Sequence, residues 1–102
     1  MDRIAQLRQF VAARPAEPFP RYALALELKG TGDDAGAAAE LSGLVQGAPD
    51  YLPAYLQLGV LLQGLGRIDE AREALRKGQD VAQRQGSSHT LGELTTALEQ
   101  LG

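Results

Sequence analysis

The sequence predicts an all-α fold of about six helices, and two observations carry that prediction. Its 12 glycines and 5 prolines in 102 residues fall mainly between segments whose apolar residues follow a helical spacing. Its 44% hydrophobic content comes largely from alanine and leucine, with few β-branched or aromatic residues. Both patterns favour helices joined by short loops, and such helices pack as antiparallel neighbours.

Start and stop signals predict where each helix begins and ends. Asp2 is available as the N-cap of the first helix, Asp33 or Asp34 as that of the third, and Asp50 as that of the fourth. Gly86 is predicted to close the long fifth helix. The expected helices span residues 1–13, 19–29, 33–47, 51–65, 68–85 and 87–100.

A period of 34 residues relates the breaks and the apolar positions of the chain. It aligns Pro15 with Pro49, Gly32 with Gly66, Leu24 with Leu58, Leu28 with Leu62, and Leu7 with Leu41 and Leu75. Small residues recur as well, with Ala25 aligned to Gly59 and Ala37 to Ala71, where the two helices of a hairpin must approach closely. The period predicts one domain with an N-terminal capping half repeat at 1–14, repeats at 18–48 and 51–85, and a C-terminal capping helix at 88–101.

The second repeat carries the most specific motif. It consists of Tyr55-x-x-Leu58-Gly59-x-x-Leu62, followed by Gly66, Ala71 and Leu75. This motif resembles the tetratricopeptide repeat. Two departures lie in the first copy, where Arg21 and Ala25 replace the aromatic residue and the glycine, and one lies in the second copy, where Gln83 replaces the closing proline. The resemblance implies a right-handed stack of antiparallel helical hairpins that binds a peptide or a partner helix in a concave groove.

A helical wheel of residues 51–65 leaves more apolar surface than one hairpin can bury. One broad arc suits packing within the stack, and a second arc holds Leu52, Leu56 and Val60. The aligned positions of the first repeat are also apolar, and in the tetratricopeptide family such positions resemble those that line the concave groove. The expected partner-binding residues are Phe19, Tyr22, Leu26, Lys29, Leu52, Leu56, Val60 and Gln63.

Three interpretations of the second arc stay open. The C-terminal helix covers it, or it receives an apolar or amphipathic segment of a protein partner, or two copies of the chain bury it as a homodimer. A role as an accessory domain of an enzyme complex is a further alternative. The favoured prediction is a non-catalytic scaffold for protein–protein interaction.

Composition argues against other classes of function. The chain has no cysteine and one histidine, His89, so a thiolate metal site or a His-based catalytic triad lacks parts, and neither a metal nor a cofactor is expected. The net charge of −3 argues against a nucleic-acid partner. No apolar run approaches the roughly 20 residues that span a membrane. Arg3, Arg8 and Arg14 leave a targeting peptide as an alternative, but the expectation is a cytoplasmic protein.

Overall fold

The computed structural model describes residues 2–102, and within them the chain forms six α-helices and no strand. The helices are α1 (Arg3–Ala13), α2 (Pro18–Gly30), α3 (Asp34–Gly47), α4 (Pro53–Gly64), α5 (Ile68–Gln85) and α6 (Ser88–Leu101). The predicted all-α fold is confirmed, and most boundaries differ from the predicted ones by one or two residues. Met1, the predicted first residue of helix 1, lies outside the described residues.

Two of the predicted N-caps are present. The Asp2 carboxylate accepts a hydrogen bond from the Ala5 backbone N–H at 2.7 Å, and the Asp33 carboxylate accepts one from Gly36 at 2.9 Å. Each bond satisfies a backbone donor that the first turn of a helix leaves unpaired. Gly86 closes α5 with a φ of 69°, as the sequence predicts.

The predicted N-cap at Asp50 is wrong. Helix α4 begins at Pro53, with Leu52 in the capping position and no side-chain cap. Proline fits the first turn of a helix because it lacks the N–H that would go unpaired there, so the helix starts two residues later than expected. Asp50 contacts the end of α5 instead, where its backbone oxygen accepts a hydrogen bond from the Gln85 side chain at 2.7 Å.

The helices stack in chain order as antiparallel hairpins. The closest pairs are α2 with α3 and α4 with α5, and each hairpin also packs against the helix that follows it. Gly32 and Gly66 form the tight turns inside the two hairpins with φ values of 87° and 77°. Only glycine adopts this left-handed conformation without a steric cost, which explains why the two glycines recur one period apart.

Two clusters of buried residues run through the stack. The first extends from Leu7 of α1 to Ala74 of α5, and the second joins α4, α5 and α6 around Leu75 and Leu94. Helix α1 packs on α2 at one end, while α6 packs on α5 and also reaches α4 at the other. The two terminal helices therefore pack at opposite ends of the hairpin stack.

Small residues allow the helices of each hairpin to cross closely. Ala25, Ala37 and Ala71 are fully buried, and a Cβ atom added at Gly59 would collide with the Leu75 side chain. At Gly78 an added Cβ would lie 2.7 Å from the Tyr55 Cβ and 3.0 Å from a methyl group of Leu94. The Tyr55 Cβ is attached to the backbone, so no side-chain rotation can relieve that contact.

Gly78→Ala is expected to destabilise the protein by about 1–3 kcal/mol, because the added methyl group overpacks the crossing of α4 and α5. The matched control is Gly92→Ala in α6, where an added Cβ meets nothing within 4 Å. There the usual helical preference for alanine should stabilise the fold by about 0.5–1 kcal/mol. Urea unfolding followed by circular dichroism measures both changes, and a Gly78→Ala protein as stable as wild type would contradict the packing described here.

Candidate functional site

A groove of about 720 Å³ lies between α4 and α6, and α2 contributes Lys29 to it. This is called the α4–α6 groove below. On the α6 side, residues 89, 93, 96 and 100 follow a spacing of three or four and therefore share one face of the helix, which Gly92 adjoins. That side carries polar groups: Ser88, His89, Glu93, Thr96 and Gln100.

The α4 side of the groove carries two aliphatic residues, Leu56 and Val60, with Gln57 between them. Leu56 is half-buried against the second core cluster, whereas Val60 is 43% exposed. Gly92 lies opposite on α6, and the space where its side chain would stand is open. The groove thus combines exposed aliphatic surface on one helix, polar groups on the other and a position without a side chain.

Two polar side-chain pairs border the groove, one between α2 and α4 and one within α6. The Lys29 Nζ donates a hydrogen bond to the Gln57 Oε1 at 3.1 Å, which links α2 to α4. On α6 the His89 Nε2 lies 3.4 Å from the Glu93 Oε1. Both pairs are exposed to solvent, so an incoming ligand can exchange them at little cost.

The structure brings three of the eight predicted site residues together in this groove: Lys29, Leu56 and Val60. Phe19 and Leu26 lie on α2 and are 66% and 39% exposed, but they do not line the groove itself. Gln63 is half-buried at the end of α4, also outside it.

Tyr22 is half-buried against the stack and Leu52 is buried within it. The Tyr22 ring lies 5.5 Å from the Tyr51 ring, tilted by 59°, and Tyr22 contacts the first core cluster. Leu52 is only 7% exposed and belongs to the second core cluster with Leu94 and Ala97 of α6. The second core cluster, to which α5 and α6 both contribute, therefore buries Leu52 and partly buries Leu56, while Val60 stays open.

The sequence analysis predicts no site residue on the α6 side of the groove, because it assigns residues 88–101 to a C-terminal capping helix. A signal for them was present. Leu91, Leu94 and Leu98 repeat the spacing of Tyr55, Leu58 and Leu62 after a shift two residues longer than the 34-residue period. Helix α6 therefore occupies the place of the inner helix of a third repeat, and its groove-facing residues follow from that shift.

Burial perturbs the titration of the three tyrosines. Burial raises the pKa of Tyr22 above its ordinary value, Tyr51 adds to the rise, and a hydrogen bond with Gln57 opposes it. Burial also raises the pKa of Tyr51 and of Tyr55. Each tyrosine hydroxyl has a higher pKa in the folded protein than in the unfolded chain. Its contribution to the free energy of unfolding is therefore fully present below the unfolded pKa of about 10, and it is lost as the pH rises through the folded pKa.

The native protein is therefore expected to form tyrosinate at higher pH than the urea-unfolded chain. The chain has three tyrosines and no tryptophan, so the ultraviolet absorbance of tyrosinate reports them directly. Tyr22→Phe should remove one of the raised titrations and leave the other two. Identical titration midpoints for the native and unfolded chains would contradict the burial of these rings.

Across residues 2–102 no group of three or more histidine, cysteine, aspartate or glutamate side chains is placed to hold a metal ion. Among the same residues, no helix combines the length and the apolar character that crossing a bilayer requires.

Antiparallel helical hairpins that recur every 34 residues and stack on their neighbours define a helical repeat protein. A family model described as tetratricopeptide repeat matches residues 30–94. The match extends over more than half of the chain, and the chain belongs to the tetratricopeptide repeat family. Domains of this family generally bind protein partners and generally act as non-catalytic scaffolds.

Solved structures agree with this assignment. The crystal structure of a tetratricopeptide repeat domain protein from Salinibacter ruber has a TM-score of 0.79 and 36% identity, covering 83% of this chain and 94% of that chain. A solution structure of a protein from Bordetella parapertussis has a TM-score of 0.80 and 26% identity, covering 99% and 88%. A MamA double mutant has a TM-score of 0.67 and 20% identity, and the match covers 96% of this chain and 63% of that chain. At this identity it shows a likeness of fold alone. No curated protein matches this chain significantly.

Proposed function

We propose that the α4–α6 groove binds a segment of a partner protein and that the protein acts as a scaffold without catalysis. The observation that carries the proposal is the exposure of aliphatic surface at Val60 beside the open space above Gly92. Large exposed apolar residues that cluster beside a groove typically mark an interaction site. The general role of tetratricopeptide repeat domains supports the same function.

The two sides of the groove favour an amphipathic segment. Its apolar side chains would contact Leu56 and Val60, and Leu26 and Phe19 extend exposed apolar surface along the neighbouring inner helix. Its polar groups would meet the hydroxyl, amide and carboxylate groups of α6, such as those of Thr96 and Glu93. Leu52 contributes to this site only by supporting α4 and α6 from within the core.

Gly92→Leu tests the groove by filling it. The substitution adds a side chain where no atom lies within 4 Å of the new Cβ, so folding should be preserved while the bound segment is excluded. Val60→Glu is a second test, because a carboxylate would replace a half-exposed aliphatic contact. The control is Gly47→Leu at the end of α3, which also has open space and lies outside the groove.

Proteins captured from an extract by the wild-type chain would be identified, and a synthetic peptide of the captured segment would then be titrated by calorimetry. We expect Gly92→Leu and Val60→Glu to weaken this one-to-one binding at least tenfold, or by about 1.4 kcal/mol, and Gly47→Leu to leave it unchanged. Circular dichroism melting verifies that each variant is folded. A partner that binds the two groove variants as tightly as wild type would refute the proposed site.

The alternatives have their own outcomes in these experiments. A homodimer through this face would appear as a wild-type dimer in light scattering that Val60→Glu converts to a monomer. If the chain is an accessory domain of an enzyme complex, the captured proteins will include enzyme subunits. The turnover of that enzyme will then change when Gly92→Leu replaces the wild-type chain. Either result would replace the scaffold proposal with the corresponding alternative.

A further inference from the structure

Five glycines lie within the helices ahead of a helix's last residue, and one of them has no packing role. At four positions a Cβ atom added to the glycine would meet a neighbouring side-chain atom closer than 3.0 Å: Gly36, Gly43, Gly59 and Gly78. At Gly92, in the middle of α6, an added Cβ atom meets nothing within 4 Å. Among residues 2–102, Gly92 is therefore the only one of these five whose missing side chain makes room for no other group of the chain.

Gly92 also has no conformational role. Its φ is not positive, whereas the turn glycines Gly32 and Gly66 have φ values of 87° and 77°. Glycine inside a helix is less favourable than alanine, because its backbone loses more freedom on folding. Gly92 therefore lowers the stability of α6 without a compensating contact in the chain. A loss of stability that the fold does not require is typical of a functional position.

The open space at Gly92 belongs to the α4–α6 groove. Gly92 lines the groove together with Leu56 and Val60 of α4 and with Thr96, which lies one turn further along α6. This space, bordered by Leu56, Val60 and Thr96, is called the Gly92 notch below. An apolar side chain that enters the notch from outside would contact the 43% exposed Val60 and remove its surface from water.

From the notch we infer that Gly92 determines which partner segments the groove accepts, an inference that rests on the proposed function. The segment that binds carries one large apolar side chain, such as leucine, methionine or phenylalanine, and this anchor fills the Gly92 notch against Val60. Anchors of this kind supply most of the binding free energy at many interfaces, because they fill a pocket from which water is excluded. A segment without such a side chain leaves Val60 in water and binds more weakly.

Peptides selected from a random phage-displayed library are the probe for this inference. Selection on the wild-type chain, with Val60→Glu as the negative selection, keeps the peptides whose binding depends on Val60. The enriched peptides are expected to share one large apolar residue, and alanine substitution along one peptide identifies that residue as the anchor. We expect the anchor-to-alanine peptide to bind the wild-type chain at least about tenfold more weakly in calorimetry.

A double-mutant cycle between Gly92 and the anchor then tests their contact. Gly92→Ala should raise the urea midpoint of unfolding and yet bind the selected peptide about fivefold more weakly, because its methyl group occupies part of the notch. The anchor-to-alanine peptide should bind Gly92→Ala and the wild-type chain equally, within about twofold. The matched control is Gly47→Ala, which also has open space but lies outside the groove and should leave both affinities unchanged.

The outcomes separate this inference from the proposed function. Selected peptides that bind through Val60 but have no large apolar anchor, or whose affinity is unchanged by Gly92→Ala, would overturn the inference and leave the groove as the binding site. A Gly92→Ala protein that is less stable than wild type would also overturn it, since the glycine would then serve the fold. If no selected peptide depends on Val60, the proposed function and this inference are both contradicted.

Discussion

The close crossing of two helices inside each hairpin is the constraint on which the rest of this structure depends. Leu41 and Leu75 are fully buried, and the inner helices present Ala25 and Gly59 at the aligned crossing positions. A larger residue at either position would push the helices apart, since protein interiors have little free volume. The crossing fixes which side of each inner helix faces its own outer helix. Every other surface of the stack follows from that orientation.

Once the crossings are fixed, the inner helices still carry apolar residues on their remaining sides. Stacking buries one of these sides, which is why a single hairpin cannot stand alone and neighbouring repeats share a core. The other side borders the groove, where Leu56 is partly covered and Val60 is open. The groove therefore arises from the same excess of apolar surface that makes the stack necessary.

The sequence predicted the parts of this structure that rest on local chemistry. Capping by Asp2, turns at Gly32 and Gly66 and the small residues at the crossings each require a particular residue type, and all are found where expected. The N-cap at Asp50 was wrong because Pro53 offered a competing start signal for the same helix. The sequence alone does not rank two helix-start signals of similar strength, because the packing of the helix in the fold decides which one is used.

The composition of the groove was less accessible from the sequence, because it depends on how one helix lies against another. A helical wheel places Leu52 and Val60 on the same side, yet Leu52 is buried in the second core cluster and Val60 is exposed. That difference depends on how the neighbouring helices lie along α4, and a wheel contains no such information. The longer shift between α4 and α6 likewise hid Glu93 and Thr96 from a strict 34-residue alignment.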